Sequence, residues 1–284
     1  MIFNHRAVFS FNGTMIDVSR IVNELGGDSY PFDFFAGTDY LYFGGDLPFT
    51  HRFIKLGDVA NDEQSQISQI AIWDGKEWVE AVDIHDGTSV SDKTLARDGT
   101  ISWTTERNSQ WGKEATTEDM TGSGLETLRI YDQYWVRIAL SNDLTQQLEM
   151  KYVGHRFSND DDLGFQYPDL LLSATLNAFK SGKTDWVEQH VLAAEEVIRY
   201  LQRHNEMWSP NQILNPARFT EAALHKCAEI IYSSFSGEDM EVLRRRAQEK
   251  HRIALNQGVF NLDRNQNGHV EAVERKPNTG IFRA

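Results

Sequence analysis

Cysteine and long apolar runs are scarce in this sequence. The 284 residues include a single cysteine, Cys227. A lone thiol excludes a disulfide within the chain and a Cys-rich zinc site, and we expect Cys227 to fill a small core position in a helix rather than to act as a nucleophile. No apolar run approaches the roughly 18 residues of a membrane span, and the first residues lack the basic and apolar regions of a signal peptide. We therefore expect neither a disulfide nor a membrane partner.

Positive charge is also scarce. The chain carries 28 Lys and Arg residues against 42 Asp and Glu residues, which gives a formal net charge of −14. Proteins that coat nucleic acid need basic side chains to neutralise phosphates, so this balance argues against broad nucleic-acid coating. It suits a protein that must not adhere to nucleic acid. Seven Trp and sixteen Phe residues are, by contrast, enough for a sizeable hydrophobic core.

The recurring signatures of catalysis are absent from the sequence. There is no HExxH, no GxSxG, no Gly-rich phosphate loop and no Cys/His spacing for zinc. The aspartates at 160–162 could bind a metal, but a solvated linker is the stronger interpretation. We therefore expect a protein that is not an enzyme. The nine histidines stand apart in the sequence, among them His5, His51, His85, His155 and His190.

The first half of the chain has the period of β-strands. Asp74-Gly75 separates two aromatic-rich runs, and this dipeptide favours a tight hairpin turn. Short strands between Gly, Asp and Asn turns predict an antiparallel β-sandwich of jelly-roll type over residues 1–158. The strand-like segments are 39–57, 71–82, 99–106, 133–140 and 147–157. In one of them alternation places Tyr134, Val136 and Ile138 on one face and Trp135, Arg137 and Ala139 on the other.

The second half has the period of helices. Three adjacent aspartates repel one another, so we place an acidic linker at 159–167. The pattern of residues 168–258 predicts an antiparallel bundle of four helices. We expect Pro168 to begin the first helix, Thr184 to cap the second and Ser236 to begin the fourth. The predicted fold class is therefore α+β. The apolar positions of the four helices are Leu172, Leu176 and Phe179; Val187, Val191, Ala194, Ile198 and Leu201; Phe219, Ala223, Cys227, Ile230 and Ile231; and Met240, Leu243, Ala247 and Ala254.

The segment 259–284 contains a stretch spaced like an EF-hand calcium loop. Gly268 stands at the sharp turn of that loop, and Pro277 leaves no room for the usual exit helix. One alternative is an Asx-rich turn without metal, because Asn replaces Asp twice. The other is one structural Ca²⁺ ion that fixes the tail at 275–284. The candidate ligands are Asp263, Asn265, Asn267, the backbone carbonyl of His269, Glu271 through a water, and Glu274.

Basic residues cluster on the predicted fourth helix and in the tail. One interpretation of the helical cluster is a solvated face paired with nearby glutamates; the other is a docking strip for an acidic partner surface. The tail adds two apolar anchors between basic residues. The candidate partner-binding residues are Arg244, Arg245, Arg246, Arg275, Lys276, Ile281, Phe282 and Arg283, and the helical cluster continues with Lys250, His251 and Arg252 near Glu238, Glu241 and Glu249.

Three motifs within 38–163 carry a resemblance. The "WDGKEW" hairpin, the "DGTS" turn and the "YWVRI" strand resemble a β-sandwich module of structural proteins in tailed bacteriophages. The helical stretch 167–262 is similar in length and helix order to head–tail adaptor proteins. The resemblance implies a virion protein of the head–tail connector, assembled in the host cytoplasm. It implies a ring, usually of twelve copies, around channel DNA beneath the portal protein, with contacts to a further neck or tail protein.

A carbohydrate-binding sandwich on a tail or baseplate is the alternative function. Aromatic side chains stack on sugars when they form an exposed row, whereas an adaptor should bury most of its tryptophans. The five tryptophans concerned are Trp73, Trp78, Trp103, Trp111 and Trp135.

Overall fold

The protein has an α+β fold. The computed structural model describes residues 5–11, 14–106, 110–113, 124–125, 130–258, 260–271 and 274. The chain divides into two compact units. The first runs to Gly154 and takes in Asn265–His269, and the second runs from His155 to Arg264 and resumes at Val270.

The described part of the first unit contains eleven strands and one short helix, α1 (Ser19–Val22). The strands form two antiparallel sheets, of six and five strands. In chain order they are β1 (His5–Phe11), β2 (Thr14–Asp17), β3 (Tyr30–Phe34), β4 (Leu41–Gly45), β5 (His51–Leu56), β6 (Ile67–Trp73), β7 (Trp78–Glu80), β8 (Val82–Asp86), β9 (Gly99–Thr104), β10 (Tyr134–Leu140) and β11 (Leu144–Gly154).

The two sheets share one hydrophobic core. The first sheet has the order β2-β1-β4-β10-β6-β7, and the second has the order β3-β11-β5-β9-β8. Val136 of β10 lies opposite Phe43 of β4 and Ile72 of β6 in the register, and all three side chains enter the core. From the second sheet Ile54 and Leu148 enter the same core. The unit is therefore a β-sandwich, with its apolar faces turned inward.

The outer face of the first sheet is covered as well. Trp135 packs there in a smaller cluster with Trp73 and Tyr42, while its neighbours Val136 and Ile138 face the main core. This confirms the alternation predicted for β10. Both faces of the strand are buried, so its sequence has few polar positions.

The second unit is helical in the part the structure describes. The helices α4, α5 and α6 are the longest, and three short 3₁₀ segments lie between the α-helices. The α-helices are α2 (Asp160–Gln166), α3 (Ser173–Phe179), α4 (Val187–Arg203), α5 (Thr220–Ser233) and α6 (Glu238–Gln257), and the 3₁₀ segments are Pro168–Leu171, Pro210–Gln212 and Pro216–Phe219.

The apolar pattern of α4 matches its packing. The five predicted core residues, Val187, Val191, Ala194, Ile198 and Leu201, are all buried. Cys227 is buried in α5, as expected, and its burial raises the pKa of the thiol. Leu172 departs from the prediction because it precedes α3 and is 55% exposed.

Two predicted features of the helical half are wrong. The stretch predicted as an acidic linker contains a helix, α2, whose N-cap is Asn159. Its three aspartates fill the first turn, where the N-terminal end of the helix dipole attracts negative charge. Thr184 does not cap α4, since the N-cap position is Trp186 and no side chain caps it.

Candidate functional site

The ends of the predicted calcium loop meet within the second unit. Glu274 lies in the twelfth position, and its Oε1 accepts the backbone N–H of Arg264 at 2.8 Å. Its Oε2 accepts the backbone N–H of Glu271, also at 2.8 Å. Asp263, in the first position, is fully buried. Its backbone N–H donates to Gln212 O and its carbonyl accepts from Gln212 Nε2, both at 2.9 Å.

The middle of the loop belongs to the first unit. The backbone N–H of Asn267 donates to Asn265 Oδ1 at 3.3 Å, and that of His269 donates to Asn267 Oδ1 at 2.8 Å. Gly268 has a φ of +82°, the left-handed conformation that the predicted sharp turn requires. A Cβ on Gly268 would lie 2.7 Å from Trp111 Nε1, so a side chain has no room there.

These contacts stabilise the loop through hydrogen bonds. Both carboxylate oxygens of Glu274 already accept backbone N–H groups. Within the described ranges, no three His, Cys, Asp or Glu side chains are grouped so that they could hold a metal ion. The calcium site and the EF-hand character of the loop remain predictions.

Three of the four arginines of α6 form ion pairs along the helix. Arg244 and Arg245 both donate to Glu241, at 2.7 and 2.8 Å. Their hydrogen bonds lower the pKa of Glu241 to about 2. Arg252 pairs with Glu249 at 2.6 Å. Much of the cluster is therefore a solvated face with neighbouring glutamates as partners.

Arg246 differs from its neighbours. Its side chain is exposed, and it takes part in no ion pair with the residues described by the structure. It is the arginine of the cluster best placed to meet a charge on another molecule. The other predicted partner-binding residues, Arg275, Lys276, Ile281, Phe282 and Arg283, lie outside the described residues.

The five tryptophans of the sandwich do not form an exposed row. Trp73, Trp103 and Trp135 are at most 2% exposed. Trp78 and Trp111 are half-buried, and Trp78 packs on Trp73 with ring centroids 5.3 Å apart. These side chains fill the two clusters of the sandwich, so no stacking platform for a sugar is present among them.

The three motifs of the phage resemblance form specific local structure. In the hairpin between β6 and β7, Asp74 Oδ1 accepts the N–H groups of Lys76 and Glu77 at 2.7 and 2.8 Å. In the "DGTS" turn, Asp86 accepts from Thr88 N at 2.8 Å and from Thr94 Oγ1 at 2.7 Å. The arginine of "YWVRI", Arg137, lies over the rings of Tyr40 and Trp78, at 4.7 and 4.8 Å. Each motif thus stabilises the sandwich.

A buried polar network in the second unit was not expected from the sequence. Ser158 Oγ and His190 Nδ1 are hydrogen-bonded at 2.8 Å, and His190 Nε2 lies 3.2 Å from Asp160 Oδ1. His190 therefore does not stand apart, as the sequence suggested, but contacts a serine and an aspartate. Serine, histidine and aspartate are the three residue types of the catalytic triad in acyl-transfer enzymes. Ser158 is 3% exposed and His190 is fully buried, and Asp160 also accepts Trp186 N at 3.2 Å. The network joins the start of α2 to the start of α4.

The first unit buries a charged side chain beside histidines. Arg52 is fully buried, and Nη1 donates to His51 O at 2.9 Å. Its guanidinium lies 3.6 Å from the ring centroid of Phe49. Burial lowers the pKa of Arg52 to about 9. Burial, followed by the charge of Arg52, lowers the pKa of both His5 and His51 to about 3.

Neither arrangement had a signal in the sequence. Ser158, Asp160 and His190 are separated by a spacing that fits no catalytic motif, and nothing in the sequence around Arg52 indicates that its side chain is buried. Only the asparagine and aspartate at 159 and 162 pointed to a helix start, since they have the spacing of a capping box.

Comparison of the chain with protein families, curated proteins and solved structures finds no match. No helix among the described residues is both long and apolar enough to cross a membrane.

Proposed function

We propose that this chain is a structural protein of the head–tail connector of a tailed bacteriophage, acting by assembly rather than catalysis. The observation that carries the proposal is the set of three motifs in one sandwich: the "WDGKEW" hairpin, the "DGTS" turn and the "YWVRI" strand. A helical unit follows that sandwich in the chain, as the resemblance to adaptor proteins requires. In this proposal the chain forms a ring, of about twelve copies by that resemblance, beneath the portal protein. A net charge of −14 would let channel DNA pass without adhering.

The sandwich is a jelly roll in this proposal. Support comes from the order of eight strands, β3 to β7 and β9 to β11. In a jelly roll, successive strands wrap between two four-stranded sheets as two Greek keys. The first sheet contains the run β4-β10-β6-β7 and the second contains β3-β11-β5-β9, which is the order that such wrapping produces. The strands β1, β2 and β8 are then additions at the sheet edges.

Location in the particle tests the proposal. Gold-labelled antibody against this chain is applied to tailed particles purified from a lysate that contains it, and the label is located by electron microscopy. We expect label at the junction of head and tail. Label at the baseplate, or none on intact particles, would contradict the connector assignment.

The tail at 275–284 is the proposed docking segment. Its sequence, RKPNTGIFRA, is basic and carries Ile281 and Phe282 as apolar anchors. Particles are produced with the full chain or with a chain lacking 275–284, and the incorporated chain is quantified by mass spectrometry. We expect at least a tenfold loss of incorporation with an unchanged circular dichroism spectrum. Equal incorporation would refute docking by the tail.

The loop at 263–274 binds one structural Ca²⁺ ion in this proposal. Support comes from Glu274, whose carboxylate turns back to the start of the loop at Arg264 N. Calorimetry with calcium chloride on the intact chain should show binding heat. Glu274→Gln, which keeps the shape and removes the charge, should abolish it, while Asp161→Asn, at an exposed acid of α2, should not. Absence of heat with the intact chain would remove calcium from the function.

A further inference from the structure

The exposed side of α6 carries an ordered set of four side chains. Val242, Arg246, Glu249 and Ile253 are separated by four, three and four residues, which places them on one face of a helix. Val242 and Ile253 are 44% and 39% exposed. Ala247, between them in the sequence, is fully buried on the other side. We call the four residues the outer stripe of α6.

The outer stripe is complementary to itself when reversed. Read from the N-terminus it is apolar, basic, acidic, apolar; read backwards it is apolar, acidic, basic, apolar. In an antiparallel pair of copies, Val242 of each copy therefore faces Ile253 of the other, and Arg246 of each copy faces Glu249 of the other. Each of these contacts occurs twice in the pair. A parallel copy in register would set each charge against its like, which is unfavourable.

We propose that the outer stripe is an interface between two copies of this chain, paired antiparallel about a two-fold axis. Such a contact is isologous, since each residue meets the same partner from either side. The charge on Arg246 favours a second copy of the chain over another kind of partner for the outer stripe, because the oppositely charged Glu249 lies one turn further on the same helix. Glu249 forms an ion pair with Arg252 within the chain, but both of these side chains are exposed to solvent. Glu249 can therefore exchange Arg252 for Arg246 of a second copy at little cost in free energy.

The size of the contact indicates a weak pair. A helix of 20 residues is about 30 Å long, and a single such face buries less surface than stable dimers do. The pair closes on itself, so the ring contacts of the proposed connector must lie elsewhere. The inference needs only α6 and does not depend on the phage assignment. It names a second copy of the chain as the acidic partner of the basic cluster.

Disulfide trapping tests the geometry. One chain carries Val242→Cys and another carries Ile253→Cys, and the two are mixed and oxidised with copper phenanthroline. An antiparallel pair brings these two positions within the 4.4–6.8 Å that Cα atoms need for a disulfide. In either chain alone, the two copies of the new thiol would be about 16 Å apart along the axis. Cys227 is buried and its thiol has a raised pKa, so it should contribute no background.

We expect a disulfide dimer in the mixture and at least fivefold less in either chain alone. Equal yields in all three samples, or no dimer in the mixture, would overturn the proposal. Yields that are highest for the single variants would indicate a parallel pair and would also overturn it.

Charge reversal tests the complementarity in the same assay. The change Arg246→Glu is introduced into both cysteine variants. It should reduce the yield of trapped dimer at least threefold, because an acidic side chain at 246 of each copy then faces Glu249 of the other. Adding Glu249→Arg to that variant should restore it. Arg203→Glu, at an exposed arginine of α4, is the matched control and should leave the yield unchanged. If Arg246→Glu and its control behave alike, charge complementarity does not hold the pair.

Discussion

Gly44 is a residue whose lack of a side chain allows the outer face of the first sheet to pack. It lies in β4, opposite Arg6 of β1 and Trp135 of β10. A Cβ at this position would come 2.9 Å from Trp135 Cζ3 and 3.1 Å from Arg6 Cβ. Trp135 is fully buried and belongs to the same hydrophobic cluster as Trp73, so it cannot move aside without opening that cluster.

Gly44→Ala should therefore destabilise the protein. Overpacking of a filled core costs about 1–3 kcal/mol, and we expect a loss of this size in the free energy of unfolding from urea titration. Gly26→Ala is the matched control, since Gly26 is exposed and a Cβ there meets nothing within 4 Å. Equal stability of the two variants would show that Trp135 can adjust.

At the scale of the element, α2 shows how a short acidic helix is fixed. Asn159 Oδ1 accepts the N–H of Asp162 and Asp162 Oδ2 accepts the N–H of Asn159, both at 2.9 Å, which completes a capping box. Asp160 of the same turn binds His190 of α4. The helix start is therefore stabilised by its own cap and by a neighbouring helix.

Asn159→Ala should cost about 1 kcal/mol in the free energy of unfolding, the usual effect of removing an N-cap side chain. Urea titration followed by circular dichroism at 222 nm measures it. Ser173→Ala is the control, because Ser173 begins α3 without any side-chain cap and is exposed. A loss for Ser173→Ala as large as that for Asn159→Ala would mean that the cap is not the cause.

Elements with a single strong period could be predicted from the sequence, and those that depend on partners could not. The alternation in β10 and the stripe of α4 from Val187 to Leu201 were predicted because burial imposes the pattern directly. The mutual repulsion of three adjacent aspartates predicts a linker, but the N-cap and the helix dipole outweigh that repulsion, and the segment forms the helix α2. The network of Ser158 and His190 joins residues 32 positions apart, and no local pattern records such a contact.

In the loop at 263–274, the sequence predicts the local turn but not the hydrogen bonds between distant parts of the loop. The turn at Gly268 was predicted, since few residues other than glycine adopt its φ of +82° readily. The hydrogen bonds of Glu274 to Arg264 and Glu271 were not, because the motif assigns this carboxylate to a cation and gives no account of backbone donors.

At the scale of the whole molecule, buried histidines link stability to pH. His5 and His51 have a pKa of about 3 in the folded first unit, through burial and the charge of Arg52, against about 6.5 in an unfolded chain. Between these values the unfolded chain binds more protons, so the folded state loses stability as the pH falls. The pKa of His225 and of His251 in the second unit is lowered too, which acts in the same direction.

The free energy of unfolding should therefore fall on acidification well before the carboxylates titrate. From pH 7 to pH 5, His5 and His51 together should remove about 4 kcal/mol, since each contributes up to about 1.4 kcal/mol per pH unit. Urea titration at pH 7, 6 and 5 measures how the free energy of unfolding changes with pH. His51→Gln should reduce the loss of unfolding free energy between pH 7 and pH 5 by about 2 kcal/mol, because His5 and the histidines of the second unit still contribute. The exposed residue His85, changed to Gln, serves as the control.

Proton NMR of the folded protein gives a second measurement that does not depend on how well His51→Gln folds. Because burial holds both imidazoles neutral, the C2 protons of His5 and His51 should keep their chemical shifts from pH 7 down to pH 5. Titration of either ring with a midpoint near 6.5 would mean that water reaches it. The loss of stability on acidification would then have to come from other groups.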